Sequence, residues 1–169
     1  MRWALALIVV AACGPAEAPP TPPAVEVARD PFIAFAADFE GYDRWERLFI
    51  PGAELDDPIH GGDRSIFVNK RPPKGTRKFA VGTIIVKRME KPEGQIFAMV
   101  KRGGGFNPDG ALDWEWFRIV DVNGTIGIAW RGMGPPDGES YGGAAGGVCN
   151  GCHFAGKDDD WVRYPGLVP

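Results

Sequence analysis

Two thiols and an imidazole near the end of the chain, in the order Cys149-Asn150-Gly151-Cys152-His153, are the residues whose types and spacing speak most directly of chemistry. In Cys-x-x-Cys-His the two thiols add to the two vinyl groups of one haem, and the spacing points the adjacent imidazole at the iron. The motif therefore predicts one haem c, attached through Cys149 and Cys152, with His153 as an axial iron ligand. Gly151 suits a close approach of backbone to porphyrin. Two other chemistries use a CxxC pair. A thioredoxin-like motif follows an early strand and opens a long helix, whereas this one lies close to the C-terminus. Half of a zinc site needs further ligands, and the chain offers only His60 and Cys13 besides the motif.

The start of the chain places that chemistry outside the cytoplasm. Arg2 precedes an apolar run, residues 3–12, that is too short to span a bilayer. It ends in Val10-Ala11-Ala12-Cys13, which matches the bacterial lipobox of an aliphatic residue, two small residues and cysteine. Residues 1–12 then read as a lipoprotein signal peptide and Cys13 as the lipidated first residue, an anchor to a bacterial membrane on its periplasmic or cell-surface side. An ordinary signal peptide with a chance cysteine is the alternative. Residues 13–29, rich in proline and alanine, read as an extended tether. Residues 30–169 are the size of one domain, large enough for a core and a cofactor. The net charge of −3 and pI near 5.4 offer no basic stripe to phosphates, so nucleic acid is not an expected partner.

The elements that must position the motif read mainly as strands. Short runs rich in β-branched and aromatic residues occupy 65–69, 83–89, 95–101, 113–120 and 125–130, each bounded by Gly, Pro, Asn or Asp. Lys91-Pro92-Glu93-Gly94 and Asp121-Val122-Asn123-Gly124 read as turns between antiparallel neighbours. Ahead of them, Asp30-Pro31 reads as the N-cap and first residue of a helix over 32–39, continuing beyond Gly41 over 42–48. The expected fold is α+β: mainly an antiparallel sheet with flanking helices and a C-terminal haem-attachment helix. Helical electron-transfer cytochromes carry CxxCH near the start of the domain and a methionine ligand downstream. No methionine follows His153 here.

Gly82-Thr83-Ile84-Ile85-Val86-Lys87, followed by Met99-Val100-Lys101-Arg102, Asp113-Trp114-Glu115-Trp116-Phe117 and the late CNGCH, resembles the cytochrome P-460 family, which includes the cytochrome c'-beta proteins. The resemblance covers residues 30–166. It implies a mostly antiparallel fold, often dimeric, with a c-type haem open on its distal side. It also implies oxidation of hydroxylamine or binding of nitric oxide and related small nitrogen species, with electrons exchanged with a partner cytochrome. In the hydroxylamine-oxidising members, a lysine at the position of Lys87 is bonded to a meso carbon of the porphyrin. On a strand, Lys87 shares a face with Thr83, Ile85 and Met89, so a haem-facing position is compatible with the local pattern. A lysine guarding a sheet edge is the plainer reading.

No catalytic residue is assigned. Asp137 and Glu139 are candidates for proton removal, with solvated loop acids as the commoner role. Phe67, Phe79, Phe97 and Phe117 could shield the iron or simply form core. His60, Met89, Met99 and Met133 are the side chains that could supply a sixth ligand in a plain electron carrier. The glycine-rich run 142–147 lacks the Gly-Lys-Ser/Thr ending of a phosphate loop. Asp158-Asp159-Asp160 reads as a solvated turn or helix start. Trp114 and Trp116 read as packing residues.

Overall fold

The computed structural model describes residues 30–52, 62–90, 95–141, 144–145 and 148–168. The expected signal peptide over 1–12, Cys13, the expected tether over 13–29, His60, the expected turn over 91–94 and most of the glycine-rich run lie outside these residues.

Six strands form one antiparallel sheet in which every strand pairs with its sequence neighbours: β1 (Glu46–Ile50), β2 (Arg64–Val68), β3 (Ile84–Met89), β4 (Ile96–Lys101), β5 (Trp114–Val122) and β6 (Thr125–Gly132). The five strands expected from the sequence are β2 to β6, with boundaries moved by up to a residue or two. The antiparallel α+β expectation holds at this level. A two-residue loop joins β5 to β6. Asn123 and Gly124 both take positive φ there, and Asp121 Oδ1 accepts the Gly124 N–H at 2.8 Å. This is the Asn-Gly hairpin geometry whose backbone twist matches that of the strands. Two short strands follow, β7 (Ser140–Tyr141) and β8 (Ala144–Ala145), paired with each other at the glycine-rich run. Then comes α1 (Val148–His153), which carries the motif.

The N-terminal helix expectation is corrected. Only a 3₁₀ turn, Ala36–Phe39, and another, Tyr42–Arg44, form there, and 46–50 is strand β1. Asp30 does not cap the first turn; the Asp38 carboxylate does, accepting the Phe35 N–H at 2.8 Å. The apolar residues of this segment are spaced for a sheet face to cover them: Ala34, Phe39 and Tyr42 bury against Phe67, Val86, Ala98 and Phe117. That tertiary contact outweighs helix propensity.

Strand alternation gives the sheet two apolar faces. The N-terminal segment covers one. The other carries Ile50, Ile66, Val68, Ile85, Met99, Trp114 and Trp116, and the C-terminal segment with Val162, Leu167 and Val168 packs onto it. Register fixes a row across this second face: Leu48, Ile66, Lys87, Phe97, Arg118, Trp130. A β-bulge at the Arg118/Ile119 step re-phases β6. Ile126 and Ile128 therefore pack with the N-terminal side, while Trp130 turns to the C-terminal side.

Candidate functional site

A cleft opens between this second face and the C-terminal segment. The sheet contributes Ile66, Ile85, Lys87, Phe97, Met99, Trp116 and Trp130, and the segment contributes Cys149, Cys152, His153, Val162 and Tyr164. Both motif thiols, the motif imidazole and Lys87 thus line one cavity, although Lys87 lies on β3 and the motif in the C-terminal segment. The cavity is about 120 Å³. Pockets for flat, drug-sized ligands span roughly 300–1,000 Å³. The cavity is smaller than that range, so a macrocycle would also need the open side of the cleft.

Helix α1 is tied to the sheet by its third residue, Asn150. Asn150 Oδ1 accepts from Asn107 Nδ2 at 2.9 Å, the Ala111 N–H at 3.2 Å and the Trp116 indole N–H at 2.9 Å. Its Nδ2 donates to Asn107 Oδ1 at 3.0 Å and to the Met133 carbonyl at 3.1 Å. Asn107 is buried with φ at 57°, a left-handed conformation that asparagine tolerates better than most residues. The approach is close enough that a Cβ on Gly110 would lie 2.2 Å from Asn150 Nδ2. Nothing in the sequence marked Asn150, because either variable position of CxxCH is free to face solvent.

His153 is held from two sides. The Trp116 ring lies 4.6 Å from its imidazole, centroid to centroid. Its Nδ1 lies 2.7 Å from the Trp161 carbonyl oxygen. A carbonyl only accepts, so Nδ1 carries the proton and Nε2 is the basic nitrogen. That is the tautomer of a metal-binding histidine, whose other ring N–H usually donates to a carbonyl or carboxylate. Asp160 and Trp161 both take positive φ, 55° and 68°, to present this carbonyl. Such conformations cost about 1–3 kcal/mol each unless the surroundings fix them.

Asp160 is fixed by burial among partners. Its Oδ2 accepts the Phe79 N–H at 2.9 Å, and its Oδ1 accepts from Lys101 Nζ at 2.8 Å. The solvated turn expected over Asp158, Asp159 and Asp160 is corrected accordingly: Asp158 is exposed, but Asp160 is 2% exposed. Asp159 lies 2.8 Å from Arg77 Nε. The acidic run looked solvated because its cations, Arg77 and Lys101, are remote in sequence.

The electrostatics of the cleft are one-sided. Arg64, Lys87 and Arg163 line it, and no Asp or Glu does among the described residues. Arg64 is a fully buried cation in this wall and was not singled out from the sequence. Cys149 is unbridged, and burial pushes its thiol up to about 11, with the positive charge of Lys87 pulling the other way. No group of three or more His, Cys, Asp and Glu converges among the described residues, so the zinc alternative finds no ligand set there.

The other candidates are dispersed. Phe97 and Met99 line the cleft. Phe117 reaches it too but packs with Phe39 in the N-terminal core, 5.2 Å between centroids. Phe67 belongs to the N-terminal core, and Phe79 packs on Trp114 at 5.7 Å. Met89 is buried outside the cleft lining and Met133 is exposed. Asp137 and Glu139 are exposed and do not line it. Trp114 and Trp116 do pack in the core; Glu115 between them is buried and paired with Arg131 and Arg102.

The donor set fits a haem c on chemical grounds. Two thiols, an imidazole in the metal-binding tautomer, apolar walls and cations suited to carboxylate side arms face one cleft. No protein-family model matches the chain, and neither does any curated protein or solved structure. What fold and site define together is a six-stranded antiparallel sheet with a CxxCH segment laid across one face.

Proposed function

We propose that this chain is an exported c-type haem protein of the cytochrome P-460 type, anchored to a bacterial membrane through a lipid on Cys13. In this reading Cys149 and Cys152 hold one haem by thioether bonds and His153 Nε2 occupies one axial position. The haem would supply ligand binding at iron and one-electron exchange. That iron would take small nitrogen species such as hydroxylamine or nitric oxide, and would exchange electrons with a partner cytochrome.

The observation that carries the reading is the cleft that gathers Cys149, Cys152 and His153, with the His153 Nδ1 proton engaged by the Trp161 carbonyl. The residues have divided tasks there. Apolar side chains exclude water from the macrocycle. Arg64 and Arg163, which line the cleft, would offer positive charge to its carboxylates, and Trp116 packs on the imidazole.

Catalysis and simple ligand binding place different demands on this cleft. Oxidising hydroxylamine requires a proton acceptor beside the iron, and no carboxylate lines the cleft among the described residues. Lys87 faces the cleft, as a porphyrin-linked lysine would have to, so its covalent state is the finer question. The test is spectral. The full chain, produced with haem-attachment machinery, should give the pyridine haemochrome spectrum of haem c, and Cys149→Ala with Cys152→Ala should abolish covalent haem. Covalent haem surviving in the double variant sinks the proposal. A ferrous Soret band far to the red would mark the lysine-linked porphyrin, and an ordinary c-type band removes the cross-link.

A further inference from the structure

Lys101 on β4 and Asp160 beyond the motif are 7% and 2% exposed, and they form an ion pair at 2.8 Å. Burying two charges is costly, and a hydrophobic pair of similar size would serve stability as well or better. Geometry gives this pair another use. Both carboxylate oxygens of Asp160 are engaged: one by Lys101 and the other by the Phe79 N–H. Lys101 is itself fixed, donating to the Leu112 carbonyl at 3.3 Å and lying 5.1 Å from the centre of the Trp114 ring. Asp160 is thus bolted to strand β4 and to the segment leading into β3.

The very next residue, Trp161, supplies the carbonyl that engages His153 Nδ1 at 2.7 Å. Its own N–H donates to the Gly156 carbonyl at 2.8 Å. Gly156 permits that fold-back, since a Cβ there would lie 2.7 Å from the Val162 carbonyl oxygen. The left-handed pair Asp160–Trp161 is therefore clamped at its side chain and at its backbone.

We propose that the Lys101–Asp160 pair is a positioning device for His153, holding the Asp160–Trp161 turn so that the Trp161 carbonyl sets the tautomer and basicity of the imidazole. The inference rests on the reading of His153 as an iron ligand. A carbonyl held against Nδ1–H makes Nε2 a stronger donor, and such outer partners commonly alter a metal site by 10–100-fold when removed. A stronger imidazole donor favours the ferric state. Loosening the clamp weakens the iron–histidine bond and raises the midpoint potential.

The test uses the full haem-loaded chain with Asp160→Asn, Lys101→Met and the conservative Lys101→Arg. Pyridine haemochrome spectra first establish that each carries haem c. The iron–histidine stretch of the ferrous proteins should then move to lower frequency in Asp160→Asn and Lys101→Met, with a higher midpoint potential, and stay near wild type in Lys101→Arg. Unchanged stretch and potential in either folded, haem-loaded variant overturn the proposal. A wild type lacking haem c overturns the functional reading itself, a separate failure. A check independent of the variants is the His153 Nδ1 proton of the wild type: rapid exchange with solvent there also defeats the clamp.

Discussion

The Asn150 side-chain oxygen receives the Trp116 indole N–H at 2.9 Å, and Trp116 in turn packs against His153. A residue inside the motif thereby uses the sheet to steady the motif's own histidine. Asn150→Ala removes the acceptor for the Trp116 and Asn107 side-chain donors and for the Ala111 N–H. Leaving buried donors unsatisfied costs about 1–3 kcal/mol each where water cannot reach them. Denaturant unfolding of the haem-loaded protein should show a loss of about 2–4 kcal/mol, with Asn150→Asp milder because it keeps the acceptor.

Gly110 tests the same contact from the other side. A Cβ at this position would meet Asn150 Nδ2 at 2.2 Å and Asn107 Oδ1 at 2.6 Å, so the alanine variant must displace the hub. Gly110→Ala should lower stability by about 1–3 kcal/mol, the usual range for overpacking. Thermal unfolding measures it, and a neutral result would mean that α1 can shift without loss.

The Lys101–Asp160 pair should behave as a buried ion pair in a double-mutant cycle. Removing Asp160 strands the Lys101 ammonium, at about 3–5 kcal/mol, whereas removing Lys101 leaves Asp160 with Lys78 Nζ at 3.7 Å and should cost less. The combined Lys101→Met and Asp160→Leu change should cost less than the sum of the two single changes, because no charge is left uncompensated. Additive losses by chemical denaturation would show that the two charges are not coupled.

The buried Cys149 thiol gives a pH signature to the haem-free chain. Its folded value, about 11, lies above the ordinary value of 9.0 because burial disfavours the thiolate. Between those values the unfolded chain has released the proton and the folded chain keeps it, so stability falls as pH rises from about 9 to 11. A thioether has no such proton. The decline from this group should therefore be present in haem-free protein and missing after attachment, as read by unfolding at stepped pH. Lys87→Met should push the thiol higher still, since the lysine charge opposes the shift.

Much of this protein was legible from local pattern alone. Alternation of β-branched and aromatic residues located five of the six sheet strands, and Asn123-Gly124 located a hairpin, because strand pleat and positive φ act over a few residues. The same period placed Lys87 on a face with Ile85. The motif marked Cys149, Cys152 and His153 because its spacing is itself the chemistry. The segment 46–50 misled because its propensity was weak and its strand state comes from pairing with β2.

Tertiary structure decided what depends on partners distant in the chain. Asp160 lies 81 residues from Phe79 and 59 from Lys101. No local rule separates such a buried, paired aspartate from its solvated neighbour Asp158. Asn150 became a hub only because β5 and the loop holding Asn107 and Ala111 come to it. Trp130 entered the cleft only because a bulge re-phased β6. Covalent spacing thus told which atoms could take a cofactor. The packing of the C-terminal segment on the sheet decided which nitrogen of His153 stays basic, since a hydrogen bond to a carbonyl eight residues away is a property of the folded chain.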